Sequence, residues 1–306
     1  GAHGLFSGRF VEAKERREKK VPIGRGLLLD RERCILCTRC VRFLRKVVGT
    51  GELGVFERGV RAEVGIYDAT PVANNYSGNL VDICPVGAIT DTDFRFRTRA
   101  WFLRGKPTVC PLCSRGCAVV VESVSGYPLG EGERRVFRVR AGDNPAVNGP
   151  WICDLGRAGR RDIDENRLTR MVKAAAPGVD LSWREGIAEV AARILAVPGE
   201  ERGVRVAVVL NSFMTCEELA AARELFLGGL GLAKVYFADP EPGSADGLLL
   251  TEERAPNLRG ALEAGFQPRP PDLDAIAGTE VVLVFGPHIG ALFAEAHHHA
   301  ALREEA

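Results

Sequence analysis

This 306-residue chain has few histidines, almost no net charge and no long hydrophobic run. No apolar run approaches the roughly 20 residues of a membrane-spanning helix, so we expect no transmembrane segment. The first residues, Gly-Ala-His-Gly, lack the basic stretch and apolar core of a secretory signal, and we expect none. The sequence also lacks a phosphate-binding glycine loop, an acid–base dyad and a nucleophile triad, which excludes a nucleotide site and bond-making chemistry by this chain alone.

Cysteine is the residue with a pattern. Eight of the nine cysteines form two sets of four, and Cys216 is left over. The first set is Cys34, Cys37, Cys40 and Cys84, and the second is Cys110, Cys113, Cys117 and Cys153. Such tight spacings favour metal ligation in a reducing compartment over disulfides, so we expect a cytoplasmic protein. Each set has a spacing that fits a [4Fe–4S] cubane.

The first set follows the arithmetic of two-cluster ferredoxins, whose run C-x2-C-x2-C-x3-C-P sends its fourth cysteine to the other cluster. If Cys84-Pro85 is such a fourth position, the four ligands of the other cluster, which is missing here, would stand at 74, 77, 80 and 44. These positions hold Asn74, Ser77, Leu80 and Leu44. The pattern predicts a half-emptied two-cluster ferredoxin fold that keeps one site. Pro85 would stiffen the chain beside the distant ligand, and Gly87 would permit a turn.

Zinc and inert core thiols are the alternatives for both sets. Zinc sites more often pair C-x2-C with a second C-x2-C or with histidines, and no histidine lies near either set. The second set is less restrictive, because 35 residues separate Cys117 from Cys153. Trp151 would shield that site from water or belong to the core. Cys216 has no histidine partner in sequence, and we interpret it as a buried core thiol.

Charge is spread unevenly despite the balance of 41 basic and 40 acidic residues. Residues 1–107 hold 20 Lys and Arg against 12 Asp and Glu, an excess of 8. An oxidised cubane with four thiolates carries a charge of about −2, which nearby cations would offset. Part of the basic excess would therefore tune the potential of a cluster.

The pattern predicts three domains: an α+β ferredoxin-like domain over 1–100, a small β-rich cluster domain over 101–165 and an α/β domain over 166–306. Capping boxes at Ser182–Glu185 and Thr215–Glu218 begin two helices of the last domain. Its buried strands are predicted at Val204–Leu210, Val235–Ala238 and Val281–Phe285. Their alternation with helices favours a parallel sheet, and residues 240–273 would form a long surface excursion.

A family resemblance is carried by the stretch from Leu28 to Cys40, by Ser77-Gly-Asn-Leu-Val-Asp-Ile-Cys-Pro-Val-Gly-Ala88 and by Phe94-Arg-Phe-Arg97. These residues resemble the large iron–sulfur subunit of NADH:quinone oxidoreductase (complex I). The second set is similar to the cluster module that opens the molybdopterin oxidoreductases. The resemblance implies that the first set holds the family's main-path [4Fe–4S] cluster and the second its off-path cluster. It also implies that residues 166–306 are a shortened molybdopterin-type scaffold that binds no molybdopterin.

The family's activity implies an electron relay with no catalytic residues of its own. Expected partners are the flavin and NADH-binding subunit and other iron–sulfur subunits. No cysteine precedes Cys34, so a separate chain would supply the family's N-terminal clusters unless they were removed. Membrane contact would come only through partner subunits, and no nucleic acid is expected. Two alternatives stay open: the relay subunit of a soluble NAD-linked hydrogenase or formate dehydrogenase, and a zinc-stabilised interaction module.

Overall fold

The computed structural model describes residues 4, 8, 10–12, 16–124, 136–160, 163, 171–173 and 180–286. The chain divides into two compact units, which are described separately. Unit 1 comprises Gly1–Gly105, Glu122–Arg140 and Trp151–Arg157, and unit 2 comprises Lys106–Val121, Ala141–Pro150 and Ala158–Ala306. Among the described residues, no helix has both the length and the apolar character that crossing a membrane requires.

Small sheets and short helices make up unit 1 up to residue 91. The strands are β1 Val21–Gly24, β2 Leu27–Leu29, β3 Leu53–Phe56, β4 Glu63–Ile66 and β5 Ile89–Asp91. The helices are α1 Arg39–Phe43, which continues as a π-helical turn over Leu44–Val48, and α2 Asn79–Ile83. Single 3-10 turns lie at Gly59–Arg61 and Tyr67–Ala69, and a third follows at Ala100–Phe102.

The sheet β1-β2-β5 is antiparallel and places both ends of the first cysteine set. Val21 pairs with Leu29 and Leu29 pairs with Ile89, so the strand before Cys34 lies beside the strand after Cys84. Gly26 makes the turn between β1 and β2 with a φ of 73°, a value that L side chains rarely adopt. The hairpin β3–β4 packs as a second antiparallel pair.

Helices α1 and α2 pack against each other in unit 1. Leu44 and Leu80, at two positions where a second ferredoxin cluster would find ligands, are both 0% exposed. Two of the four positions that hold cysteines in a two-cluster fold thus carry buried leucines here. Burying such leucines stabilises the fold by roughly 1.5–3 kcal/mol each.

Three further strands form a sheet in the order β6-β7-β8. They are β6 Leu103–Val109, β7 Ala118–Val124 and β8 Val136–Ala141, followed by helix α3 Asp154–Ala158. Glu122 of β7 is buried and accepts hydrogen bonds from Arg138 and from Arg140, at 3.0 and 2.8 Å for the latter. A buried carboxylate needs such partners, because its desolvation would otherwise destabilise the fold.

A parallel sheet organises unit 2, as the strand–helix alternation predicts. Its strands are β11 Val206–Leu210, β12 Lys234–Phe237 and β13 Val281–Val284, in the order β12-β11-β13, while β9 Met171–Val172 and β10 Asp180–Leu181 form a separate antiparallel pair. Every residue of β11 is buried. A central parallel strand is covered on both faces, which explains its unbroken apolar run.

Both predicted capping boxes are confirmed. In α4 Trp183–Ala196 the Ser182 hydroxyl accepts from the Glu185 amide, and in α6 Cys216–Ala222 the Thr215 hydroxyl accepts from the Glu218 amide. Helix α6 continues as a π-helical segment over Arg223–Gly229. Between them lies α5 Arg202–Arg205, so the strand predicted from Val204 begins two residues later.

The predicted surface excursion over 240–273 is wrong in part. It contains the helix α7 Leu258–Glu263 and the buried residues Leu249, Ala255 and Ala261, and α8 Leu273–Ala277 begins at its end. The prediction relied on the proline and glycine content of this region and overlooked the short apolar segments that anchor it. The described structure thus has a mixed α/β fold, and the division into domains at 100 and 165 stays a prediction.

Candidate metal centres

The four cysteines of the first set surround one cavity in unit 1. Its empty volume is about 360 Å³, part of which is open to solvent. Apart from the thiols, apolar side chains and two polar residues line it: Leu29, Ile35, Thr38, Arg39, Val64, Val86, Ala88 and Ile89. Thiolates that converge on an enclosed apolar space are the environment in which proteins hold iron–sulfur clusters.

Local backbone geometry shapes the loop that carries three of these thiols. Leu36 and Thr38 have φ angles of 56° and 60°, in the left-handed region that is strained for side chains with a branched Cβ such as threonine. Asp30 fixes the start of the loop, since its Oδ1 accepts from the amides of Glu32 and Arg33 at 3.0 and 3.3 Å. Strained residues of this kind cluster at ligand sites.

Cys84, the fourth cysteine of the first set, lies in a tight turn, as the sequence predicts. Gly87 has a φ of 62°, and its amide donates to the Cys84 carbonyl at 3.4 Å. The next amide, that of Ala88, donates to the Cys84 sulfur at 3.2 Å. Amide donors of this kind stabilise a thiolate ligand and raise the potential of a bound cluster.

Two thiols of the first set, Cys34 and Cys40, have raised pKa values. Burial raises the pKa of the Cys40 thiol to about 11, the Val41 amide opposes the shift, and the charges of Cys34, Cys37 and Cys84 add to it. Burial also raises the pKa of Cys34, with Cys84 and Cys37 contributing. A bound cationic metal would favour the thiolate forms of these two cysteines, so cluster binding there would release protons.

The donor set is chemically suited to an iron–sulfur cluster, because four cysteines line one cavity and a cubane takes one thiolate at each of its four irons. Within the part of the chain that the structure describes, no three His, Cys, Asp or Glu side chains are placed to share one metal ion.

Cys153, the fourth cysteine of the second set, lies in a segment joined to the first site by buried hydrogen bonds in unit 1. Asn79 of α2 is 1% exposed, and its amide group donates to the Ile152 carbonyl at 2.8 Å and accepts from the Ile152 amide at 3.2 Å. One side chain thus satisfies both backbone groups of Ile152. Cys153 itself is buried, and its sulfur accepts from the Gly156 amide at 3.3 Å.

Asp154 and Arg157 of α3 extend this junction. Asp154 accepts from the Ser77 hydroxyl at 2.6 Å and from the Gly78 amide at 2.8 Å. Arg157 pairs with Asp82 at 2.8 Å. Gly78 leaves room for this arginine, because a Cβ there would lie 2.4 Å from Nε of Arg157. The residues before Cys84 and those after Cys153 are therefore held together.

Trp151 packs against the first site. Its ring stacks on Phe43 of α1 with centroids 4.6 Å apart and planes at 51°. Phe43 lies three residues after Cys40 and is buried. Trp151 thus stabilises the helix that follows the first cysteine loop, a role that its neighbourhood to Cys153 in sequence did not indicate.

The other three cysteines of the second set lie in unit 2. Cys110, Cys113 and Cys117 are all buried, and the Cys110 amide donates to the Cys117 carbonyl at 2.8 Å, which closes the loop. Asn148 is buried beside it and exchanges hydrogen bonds with the backbone of Ala118 at 2.8 and 3.3 Å. Three buried thiols on a closed loop are a suitable donor set for an iron–sulfur cluster.

Sequence reasoning missed Asn79, Asn148 and Asp154 as supporting residues. The signal in the sequence was a polar side chain inside a short apolar stretch near a cysteine. Such a side chain, once buried, needs hydrogen-bond partners and so supports the neighbouring backbone. The interpretation of Cys216 as a buried core thiol is wrong: the residue is exposed at the start of α6, with its sulfur 3.7 Å from Oδ1 of Asn257.

Comparison with known proteins agrees with this geometry. Residues 24–90, which include the whole first set, match the family model of the ferredoxin-like domain of NADH-quinone oxidoreductase subunit 3. NADH-quinone oxidoreductase subunit 3 of Thermus thermophilus is 38% identical over 217 residues. NADH-quinone oxidoreductase subunits of Streptomyces coelicolor and Mycobacterium tuberculosis are 39% identical over 223 residues and 37% identical over 253 residues. Over 70–80% of its length the chain is similar to the large iron–sulfur subunits of NADH-quinone oxidoreductase.

The match to these members of the large iron–sulfur subunit family covers 70%, 72% and 80% of this chain. It covers 27%, 25% and 29% of the relatives, so the chain spans about a quarter of the length of the curated relatives that it matches. Residues 24–90 are the part of this chain in which the cysteine spacing, the cavity and the match to the ferredoxin-like domain agree.

Proposed function

We propose that this chain relays single electrons through two [4Fe–4S] clusters within a multi-subunit NADH:quinone oxidoreductase. The observation that carries the proposal is the cavity lined by Cys34, Cys37, Cys40 and Cys84, inside the residues that match the ferredoxin-like domain. A cluster bound there supplies one-electron redox chemistry. The chain's own residues hold it, exclude water and adjust its potential, which is a relay role without catalytic residues.

The second cluster is part of this proposal. Its ligands are Cys110, Cys113, Cys117 and Cys153, assigned from their spacing and supported by the burial of all four thiols. For residues 166–306 we propose a scaffold of the molybdopterin-oxidoreductase type without bound molybdopterin, which the parallel sheet around β11 supports.

Partners and location follow from the family. The relatives are named as subunits of NADH-quinone oxidoreductase, and the mitochondrial relative from Solanum tuberosum, 32% identical over 237 residues, is named an iron–sulfur protein of NADH dehydrogenase. We propose that the chain docks against an NADH- and flavin-binding subunit and further iron–sulfur subunits. The site of assembly would be the peripheral arm on the cytoplasmic side of the membrane.

Iron and sulfide analysis of the anaerobically purified chain tests the proposal. We expect about eight iron atoms and about eight acid-labile sulfides per chain, because each cubane contains four of each. Zinc without sulfide would contradict the cluster assignment and favour the zinc-stabilised module. The subunits that co-purify with the chain test which complex it belongs to. A nickel–iron subunit would indicate a hydrogenase and a molybdenum subunit a formate dehydrogenase, instead of the quinone-linked complex.

Arg39 gives a prediction about the potential of the first cluster. Arg39 is one of the residues that line the cavity, and its positive charge favours the reduced, more negative cluster. We expect Arg39→Met to lower the reduction potential by on the order of tens of millivolts, since the residue is exposed and partly screened. An anaerobic redox titration followed by electron paramagnetic resonance measures the shift. Arg42→Met is the matched control, because Arg42 lies on the same helix outside the cavity lining, and an equal shift in both variants would contradict this role of Arg39.

A further inference from the structure

Residues 243–255, here called the strap, form an ordered loop in unit 2. The two ends of the strap meet where the Gly243 amide donates to the Glu252 carbonyl at 2.8 Å. Asp246 organises the turn, because its Oδ1 accepts from the amides of Leu248 and Leu250 at 3.0 and 3.2 Å. Arg254 closes the base by donating to the Ser244 carbonyl at 3.0 Å. These bonds give the strap a defined shape of its own.

The strap is bonded to the two residues that follow Cys113 in the second cysteine loop. The Ser114 amide donates to the Glu253 carbonyl at 3.1 Å, and the hydroxyls of Ser114 and Thr251 lie 3.0 Å apart. The Arg115 guanidinium donates to the Leu248 carbonyl at 2.8 Å. Ser114 and Arg115 stand between Cys113 and Cys117, so the strap is fastened directly onto the part of the loop that carries the thiols.

Buried apolar residues anchor the strap to unit 2. Leu249 and Ala255 are both buried, and the chain beyond them is fixed where the Asn257 amide donates to the Ser212 carbonyl at 2.9 Å. The strap is thus tied at its tip to the cysteine loop and at its end to the parallel-sheet core. Opening it requires breaking the three bonds to Ser114 and Arg115.

We propose that the strap closes over the loop of Cys110, Cys113 and Cys117 and limits the access of small solutes to the cluster bound there. The inference rests on the second cluster of the proposed function. It assigns Thr251 and Arg115 as positioning residues that hold the closed state. Cys110, Cys113 and Cys117 are buried residues, whereas Ser114 and Arg115 between them are exposed and carry the hydrogen bonds to the strap.

The test compares the full-length, cluster-loaded chain with the double variant Thr251→Val and Arg115→Met. The replacements remove the hydroxyl and guanidinium bonds while keeping much of the volume of both side chains. Two readouts are used: the rate at which EDTA removes iron from each cluster, followed by electron paramagnetic resonance, and hydrogen exchange of the Ser114 amide. Arg259→Met is the matched control, because Arg259 forms an exposed pair with Glu263 away from the strap.

In the double variant we expect EDTA to remove iron from the second cluster about tenfold faster than in the parent chain. The Ser114 amide should also exchange about tenfold faster, since removing two hydrogen bonds populates the open strap. The first cluster should be lost at the rate of the parent chain and serves as an internal standard. The single variant Thr251→Val should show a smaller change in the same direction, which protects the test against misfolding of the double variant. Equal rates in parent, control and variants would overturn the proposal.

Iron content separates this inference from the proposed function. A parent chain with about four iron atoms refutes the second cluster itself. In that case the same variants are compared by the rate of iodoacetamide alkylation of Cys113 and Cys117. Faster alkylation in the double variant supports the strap as a cover over the loop, and unchanged alkylation overturns it.

Discussion

Replacing Cys84 with alanine should remove one complete cluster from the chain. In the proposed function Cys84 is the distant fourth ligand, and it lines the same cavity as Cys34, Cys37 and Cys40, which lie close together in sequence. Without it one iron corner lacks a thiolate, and the cluster is no longer held at all four corners. We expect iron to fall from about eight to about four atoms per chain, with an equal loss of sulfide. Iron and sulfide analysis under anaerobic conditions measures the change.

The control for this experiment is Cys216→Ala. Cys216 is exposed and belongs to neither set, so its replacement should leave iron and sulfide unchanged. Electron paramagnetic resonance of the reduced Cys84→Ala chain should still show the signal of the second cluster. Full iron content in Cys84→Ala would mean that Cys84 is not a ligand and would refute the first site as described.

Asn79 is the residue outside the cysteines whose loss should have the largest effect. Asn79→Ala leaves both the amide and the carbonyl of buried Ile152 without their side-chain partner. An unsatisfied buried backbone group destabilises by about 1–3 kcal/mol, so the local free energy of opening should fall by about 2–4 kcal/mol. We expect exchange of the Ile152 amide to accelerate by about two orders of magnitude, since about 1.4 kcal/mol corresponds to tenfold.

Hydrogen exchange of the cluster-loaded chain, read by nuclear magnetic resonance or mass spectrometry, measures this effect. Asn74→Ala is the matched control, because Asn74 is half-buried and bonds to Glu52 and to the Tyr76 amide rather than to Ile152. It should leave the Ile152 amide protected. An Asn79→Ala chain in which Ile152 exchanges as slowly as in the parent would show that Asn79 does not hold the Cys153 segment.

The cysteine sets illustrate what can be predicted from sequence. Thiol chemistry and the x2 spacing are local properties, and Cys34, Cys37 and Cys40 lie on one loop whatever the rest of the fold does. Cys84 was assigned by ferredoxin arithmetic, and the structure places it around the same cavity. Both capping boxes and the parallel sheet were also predicted, because caps involve four consecutive residues and buried parallel strands read as unbroken apolar runs.

The sequence by itself determined which side chains are suited to bind metal and where local elements begin. Only the tertiary structure decided what supports them. Asn79 meets Ile152 across 73 residues, and Ser114 meets Thr251 across 137. No local spacing encodes such pairs, since a polar residue's partner depends on which distant backbone groups become buried beside it. The exposure of Cys216 and the burial of the apolar residues within 240–273 were misjudged for the same reason, because the burial of a residue depends on how the whole chain packs.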